Sequence, residues 1–415
     1  MTMAATQTQS ARLPAYALFA SLLAAAGLPL YIHAPKFYVD EYGVSLAALG
    51  AVLFGLRLLD VVQDPLLGRL SESVRAHRAA AVAIALAVIA SAMVGLFAVV
   101  PPVAPLLWFG LMLTLVFSAF SFLTINFYAQ GVNKAANLAG NGHLKLARWR
   151  ETGSLLGVCV AAIAPVALGA VMDRPFAGYA VSFAVLALLA WQAMRLEWGG
   201  EMVAPSSGFG PVLRDSVARR LLMIALVNAA PVAVSSTLFL FFVESRLAAP
   251  GMEGPLLLLF FLSAALAAPV WGLLAERLGA KRVLIAGMVL SILAFGAAVL
   301  LQEGDVVAFA IICIASGAAL GADMTLLPAI FAGRMAKISP TAAEGFGLWS
   351  FVSKFTLAFA AVTLLPALDA AGFQAGANNS EPALLLLSLL YAAVPCGLKT
   401  VAILLLATTD LKETE

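Results

Sequence analysis

Twelve runs of about twenty mainly apolar residues follow one another along this chain, and nothing else in it constrains the fold as strongly. They cover 15–32, 47–70, 79–100, 106–129, 154–171 and 178–194, then 221–243, 254–274, 283–301, 306–331, 345–368 and 382–406. At 1.5 Å per residue, each run as a helix crosses a hydrocarbon layer about 30 Å thick. Charged residues make up 11% of the chain and hydrophobic ones 63%, whereas a soluble domain carries about 25% charged residues. No soluble core absorbs that much apolar sequence. Inside a bilayer each backbone polar group needs an internal partner, so runs of this length are helices. The chain is expected to be all-α and polytopic, an integral membrane protein whose first partner is the lipid bilayer.

The first run lacks a small-residue cleavage site and reads as a retained span. Cys159, Cys313 and Cys396 all lie within apolar runs, a placement that favours packing over disulfides or a metal cluster. Basic residues gather in alternate loops: Arg75, His77 and Arg78; Lys134, Lys145 and Arg148; Arg214, Arg219 and Arg220; Arg277, Lys281 and Arg282; Arg334 and Lys337. The intervening loops carry mainly acids, such as Asp40, Glu41, Asp173, Glu253 and Glu381. The positive-inside bias then places both termini and the central loop in the cytoplasm, which needs an even number of spans. A bacterial inner membrane is the expected location. The net charge of +2 gives no sign of a nucleic-acid partner.

A polar stretch, EWGGEMVAPSSGFGPVLRD (197–215), interrupts the middle of the chain. It divides the sequence into six spans over 1–196, a cytoplasmic central loop over 197–217, and six spans over 218–415. The halves share a loop motif: GRLSESVRAHR (68–78) and GLLAERLGAKR (272–282) both read G-x-L-small-Glu-x-x-x-Ala-basic-Arg. Glycine admits a close neighbour, and the expectation is that Glu72 or Glu276 pairs with the basic cluster of its loop, including Arg78 or Arg282. Gly68, Glu72, Arg78, Gly272, Glu276 and Arg282 are therefore candidate gating residues. The motif resembles the loop between the second and third helices of each half in the major facilitator superfamily, a fold of two six-helix bundles whose repeats rock about a central site.

Few charges fall inside the apolar runs, and the second run holds three of them. In RLLDVVQDPLLG (57–68), Arg57, Asp60 and Asp64 share one helical face. A charge at mid-bilayer costs about 2.5–3.5 kcal/mol on insertion scales, and such residues face water, pair with one another or bind ions. The alternative is a purely structural ion-pair network. Arg150, Asp323 and Lys354 are the other intramembrane charges of note. Polar and aromatic side chains elsewhere in the spans add Tyr31, His33, Lys36, Tyr38, Ser121, Thr124, Asn126, Tyr128, Gln130, Asn228 and Trp349 as candidate cavity residues. Packing competes with ligand contact for Tyr31, Tyr38 and Trp349, snorkelling for His33 and Lys36, helix-to-helix hydrogen bonding for Asn126 and Gln130, and neutralisation of a nearby base for Asp323.

Together these segments resemble the glycoside, pentoside and hexuronide:cation symporter family, the melibiose permease-like branch of the superfamily. The second-run pattern Arg-x-x-Asp-x-x-x-Asp-Pro-x-x-Gly carries most of the likeness. FYVDEYGVSLAALGAVLFGLR (37–57), RETGSLLGV (150–158), GFGLWSFVSKFTLAFA (345–360) and GFQAGANNSEPALLLL (372–387) extend it. The resemblance implies that Asp60, Asp64, Gln63 and Ser121 bind the coupling cation, Na⁺ or H⁺. It also implies that Arg150 lines the solute site and that Lys354 lies near the cation. The two carboxylates with which the sugar permeases hold sugar hydroxyls are missing, since Ala24 or Ala25 and Thr124 stand in their places. The expected function is cation-coupled symport of a small organic solute by a monomer without cofactors. The alternative is transport or export of an amphiphilic, lysolipid-like or drug-like compound. No G-x-x-x-x-G-K-[ST] loop, H-E-x-x-H or Ser/His/Asp arrangement points to a pump or an enzyme.

Overall fold

A computed structural model of the chain describes residues 12–138, 140–199, 208–339, 342–374 and 379–411. Part of the expected central loop therefore lies outside the described residues. Helices α1 (Leu13–Ala25) and α2 (Leu28–Tyr42) make the first crossing, broken at Gly27. The first bundle continues with α3 (Leu46–Ser73), α4 (Arg78–Phe97), α5 (Pro105–Ala135), α6 (Gly142–Gly169) and α7 (Pro175–Met194). After the short α8 (Gly210–Arg214), the second bundle comprises α9 (Ser216–Phe241), α10 (Glu253–Leu278), α11 (Ala280–Gly296), α12 (Val306–Ile338) and α13 (Ala343–Ala370). Its last crossing is α14 (Glu381–Ser388) and α15 (Val394–Ala407), joined by a π-helical turn (Leu389–Ala393). Among the described residues, nine helices are long and apolar enough to cross a membrane. Helix Leu13–Ala25 of the first crossing is apolar but shorter than these.

Two clusters of buried apolar side chains each belong to one bundle, and two others join the bundles. One cluster draws only on α1–α7 and the segment just after α7, around Phe19, Ile89 and Phe109. Another, around Phe242, Phe309 and Tyr391, draws only on the second bundle. A third joins Ile125, Val132 and Leu144 of the first bundle to Leu326, Ile330 and Phe346 of the second. It includes Ala280, the alanine of the second loop motif. The bundles are thus closed against each other at the end carrying the repeated loops.

Glycine sets how closely some helices meet. A Cβ at Gly153 would lie 2.2 Å from Ala17 O, and one at Gly157 would lie 2.5 Å from Ser21 O. Ser21 Oγ donates to Gly153 O at 2.6 Å across the same contact, so α1 and α6 touch backbone to backbone. Gly153→Leu should lower stability by about 1–3 kcal/mol through overpacking, read as a lower melting temperature of the purified protein.

At the closed end, Asp215 caps α9 by accepting from Ala218 N at 2.7 Å, and Arg334 grips both its oxygens at 3.0 and 2.5 Å. These bonds, with Arg334 the leading cause, hold the Asp215 carboxyl below its ordinary range. A depressed carboxyl stabilises the fold above its unfolded pKa of about 3.9, and the gain disappears as pH falls through the folded value. Asp215→Ala should cost about 0.5–2 kcal/mol near neutral pH. In melting curves recorded from neutral to acid pH, the difference between variant and parent should shrink with acidification.

Candidate functional site

α3 places Asp60 and Asp64 one turn apart on the face turned toward α5 and α13. Asp64 is fully buried and Asp60 keeps 6% exposure. Close approach is possible because glycines meet there: a Cβ on Gly68 would lie 3.3 Å from Ala343 O, and one on Gly347 would lie 3.1 Å from Asp64 O. One turn beyond Gly347 comes Ser350, and one turn further comes Lys354, so a single face of α13 presents a hydroxyl and an ammonium to the two acids.

Lys354 Nζ donates to Ser121 Oγ at 2.6 Å and to Asp64 Oδ1 at 3.1 Å, and lies 3.6 Å from Asp60 Oδ2. Ser350 Oγ donates to Asp64 Oδ2 at 2.5 Å. Gln63 Nε2 donates to Asp60 Oδ1 at 2.6 Å, and Ser118 Oγ donates to Gln63 Oε1 at 2.9 Å. The Lys354 ammonium is thus surrounded by carboxylate and hydroxyl oxygens. Its side chain keeps 19% exposure, so the cluster is not sealed. Arg57 lies half-buried one turn before Asp60.

All four residues of the expected cation set meet here, together with Lys354. Ser118 and Ser350 join the same cluster and escaped the sequence reading. Their signal was spacing alone, three residues before Ser121 and four before Lys354, and serine at such a spacing is common in apolar helices.

A second cluster lies two turns along α5, about 10 Å from Ser121. The Arg150 guanidinium sits over the Tyr128 ring at 3.7 Å. Arg150 Nε donates to Glu151 Oε1 at 2.7 Å, and the Tyr128 hydroxyl donates to the same oxygen at 2.9 Å. Glu151 was not singled out from the sequence. Between the two clusters stands Thr124, whose buried hydroxyl has no hydrogen-bond partner among the described residues.

Several candidate residues lie elsewhere. Asn126 accepts from Ser71 Oγ at 2.8 Å and donates to Phe122 O at 2.8 Å, which ties α3 to α5. Gln130 accepts from Arg78 at 2.8 Å and donates to Glu197 O. Trp349 packs on Phe331 with ring centroids 4.8 Å apart. Tyr38 donates to Leu96 O at 3.1 Å, and Lys36 pairs with Asp40 at the surface. His33 Nε2 lies 3.2 Å from Ala162 O. Tyr31 belongs to α2, and its side chain lies outside the described residues. Asp323 and Asn228 share a different partner, Lys399 of α15.

The first copy of the loop motif keeps the expected pairing and the second departs from it. Glu72 lies 3.7 Å from Arg75, in its own loop, and Arg78 of that loop donates to Gln130 at 2.8 Å. Glu276 meets Arg148 of the other bundle at 3.5 Å, and Arg282 is exposed. Packing explains the change: a Cβ on Gly272 would lie 3.0 Å from the Arg148 side chain, so Arg148 runs along α10 and reaches Glu276 directly.

The sequence matches the profile of the MFS/sugar transport proteins over residues 14–413. The chain belongs to the MFS/sugar transport protein family. No curated protein matches it. Among solved structures, a bacterial homologue of the iron transporter ferroportin in an outward-facing state is similar to it, with a TM-score of 0.68 and 15% identity over 96% of this chain and 99% of that one. The E. coli fucose:proton symporter is similar with a TM-score of 0.62 and 13% identity, over 94% and 98% of the two chains. At these identities the likeness is one of fold. Family membership makes the protein an integral membrane transporter and not an enzyme.

Removing one partner of a buried ion pair leaves the other charge uncompensated, at a cost of about 3–5 kcal/mol. Lys354→Ala should destabilise the protein on that scale in Na⁺-free buffer, and adding Asp64→Asn should recover most of the loss. Thermal melts of the single and double variants provide the check.

Proposed function

We propose that this transporter is a cation-coupled symporter of a small organic solute, akin to the melibiose permease-like family. The observation that carries this reading is the ammonium of Lys354 held among Asp60, Asp64 and Ser121. Two carboxylates share one mobile cation on a long side chain, and the group lies where α13 of one bundle meets α3 and α5 of the other. A Na⁺ ion or a proton arriving at the acids competes with Lys354 and frees it, and that exchange alters the contact between bundles. A ligand shifts such an equilibrium only by its differential affinity for the two states, and competition with an internal cation supplies that difference.

With the basic loops in the cytoplasm, the closed end is cytoplasmic and the described conformation is outward-facing. A cation then enters from outside, and the solute occupies the stretch of α5 between the clusters. There Thr124 offers an unpaired hydroxyl, and Tyr128 with Arg150 offers an aromatic face and a guanidinium. Uptake across a bacterial inner membrane by a monomer follows. A second reading, transport of an amphiphile, draws on the same stretch, because Ala24, Ala25 and Thr124 replace the acids that hold sugar hydroxyls. Vesicle flux separates the two: accumulation driven by an inward Na⁺ or proton gradient supports symport, and loss of compound under an inward proton gradient supports export.

A ligand bound only to the native state stabilises it by RT ln(1 + [L]/Kd), about 2.7 kcal/mol at a hundred times Kd. Purified protein should therefore melt higher with Na⁺ or on mild acidification, and Asp60→Asn or Asp64→Asn should abolish that response while leaving the fold intact. Wild-type cation dependence in both variants would refute the assignment.

A further inference from the structure

Inside the second bundle a pocket lies beside a buried ion pair. Lys399 of α15 donates to Asp323 Oδ2 of α12 at 2.5 Å and to Asn228 Oδ1 of α9 at 2.8 Å. Lys399 is 3% exposed and Asp323 is 7% exposed. Two hydrogen-bonding positions stay open at the pair. Asp323 Oδ1 is buried and accepts from no group among the described residues. An ammonium has three donors, and Lys399 spends two of them on Asp323 and Asn228.

Asp323 and Lys399 both line the pocket, together with Ser235, Ser291 and Ser316. Ser316 already donates its hydroxyl hydrogen to Ile312 O at 2.6 Å, and Ser235 donates to Val232 O at 3.2 Å. These two hydroxyls have only lone pairs left to offer. Elsewhere the walls are mainly apolar, built by Phe260 of α10, Ile292 and Phe295 of α11 and Leu320 of α12. Val232 of α9 is also on the lining and is 38% exposed, so the pocket is open along an aliphatic side chain. One end is thus polar and the way out is apolar.

We infer that this pocket binds the hydroxyl end of an uncharged amphiphile, such as a medium-chain alcohol. Charge decides against ions: an organic cation at Asp323 Oδ1 would lie beside the Lys399 ammonium, and an anion at Lys399 would lie beside a bare carboxylate oxygen. A hydroxyl both donates and accepts, so a single one fills the two open positions, donating to Asp323 Oδ1 and accepting from Lys399 Nζ. Hydrogen bonds to charged groups are the stronger kind, and a buried acceptor left without a donor is costly. The hydrocarbon part then lies against Phe260, Phe295 and Leu320 and leaves past Val232. A polyol fits less well, because its further hydroxyls would be set against those apolar walls. Every lining residue belongs to α9, α10, α11, α12 or α15. The site is therefore additional to the Lys354 cluster and to the stretch of α5 around Thr124, and it does not rest on how transport is coupled.

Octanol carrying a photoactivatable diazirine tests this on the purified full-length protein in lipid nanodiscs. The expected result is saturable labelling of the segments around Val232, Phe260 and Ile292, mapped by mass spectrometry. Octanol should compete with the label, whereas octyl methyl ether, which accepts but cannot donate, and glycerol should not. The double variant Asp323→Leu with Lys399→Met replaces the ion pair by apolar groups, a change that buried pairs often tolerate, and its labelling should be weaker by about tenfold. Val232→Trp narrows the opening without touching the pair and should also reduce labelling, which keeps the test open if the double variant does not fold. Labelling equal to the parent's in the folded variants, equal competition by the ether, or competition by glycerol and not by octanol would overturn the inference. So would unsaturable labelling spread over the lipid-facing helices, the result for a pocket that holds only water. None of these readouts involves Na⁺, a proton gradient or the acids of α3, so failure here is separate from failure of the symport reading.

Discussion

Everything about this transporter turns on the ammonium of Lys354, which reaches from α13 to Asp60 and Asp64 on α3 and to Ser121 on α5. A lone carboxylate at that depth would be expensive, and two adjacent carboxylates more so. The pairing makes α3 tolerable in an apolar layer, and it does so across the seam between bundles. Stability and the proposed coupling therefore fall on the same contact. The serines and Gln63 around it meet the remaining polar valences, so in the proposed exchange little but charge has to change.

The glycines serve that contact. Gly68 and Gly347 bring α3 and α13 to backbone distance at the closed end, which sets the reach that Ser350 and Lys354 must cover. Gly153 and Gly157 hold α1 against α6 in the first bundle. Close helix contact matters more in lipid than in water, because apolar side chains gain little there by leaving a surrounding that is already apolar. Packing and hydrogen bonds must supply the cohesion, and residues without side-chain bulk permit both.

Three clusters of charged side chains within the spans each join different helices. Asp60, Asp64 and Lys354 join the bundles. Tyr128, Arg150 and Glu151 lie between α5 and α6 beside Phe346 of the second bundle, whose ring centroid is 5.1 Å from that of Tyr128. Asp323, Lys399 and Asn228 lie wholly within the second bundle. At the closed end Glu276 and Arg148 add a bond between bundles. A cavity between two moving bodies needs charges that exchange partners, and the first cluster has the geometry for it.

The apolar runs by themselves determined that the chain is a helical membrane protein, because a bilayer leaves the backbone no other way to satisfy its hydrogen bonds. Spacing also placed Arg57, Asp60 and Asp64 on one face of a single helix, where 3.6-residue geometry fixes who faces whom. Partners supplied by other helices were decided only by tertiary structure. Nothing in the sequence distinguishes Ser350 from other membrane serines, assigns Lys399 to Asp323, or sends Glu276 to Arg148 instead of the basic residues of its own loop. Periodicity states which way a side chain points from its own axis, and the rotation and tilt of each neighbour decide what it meets.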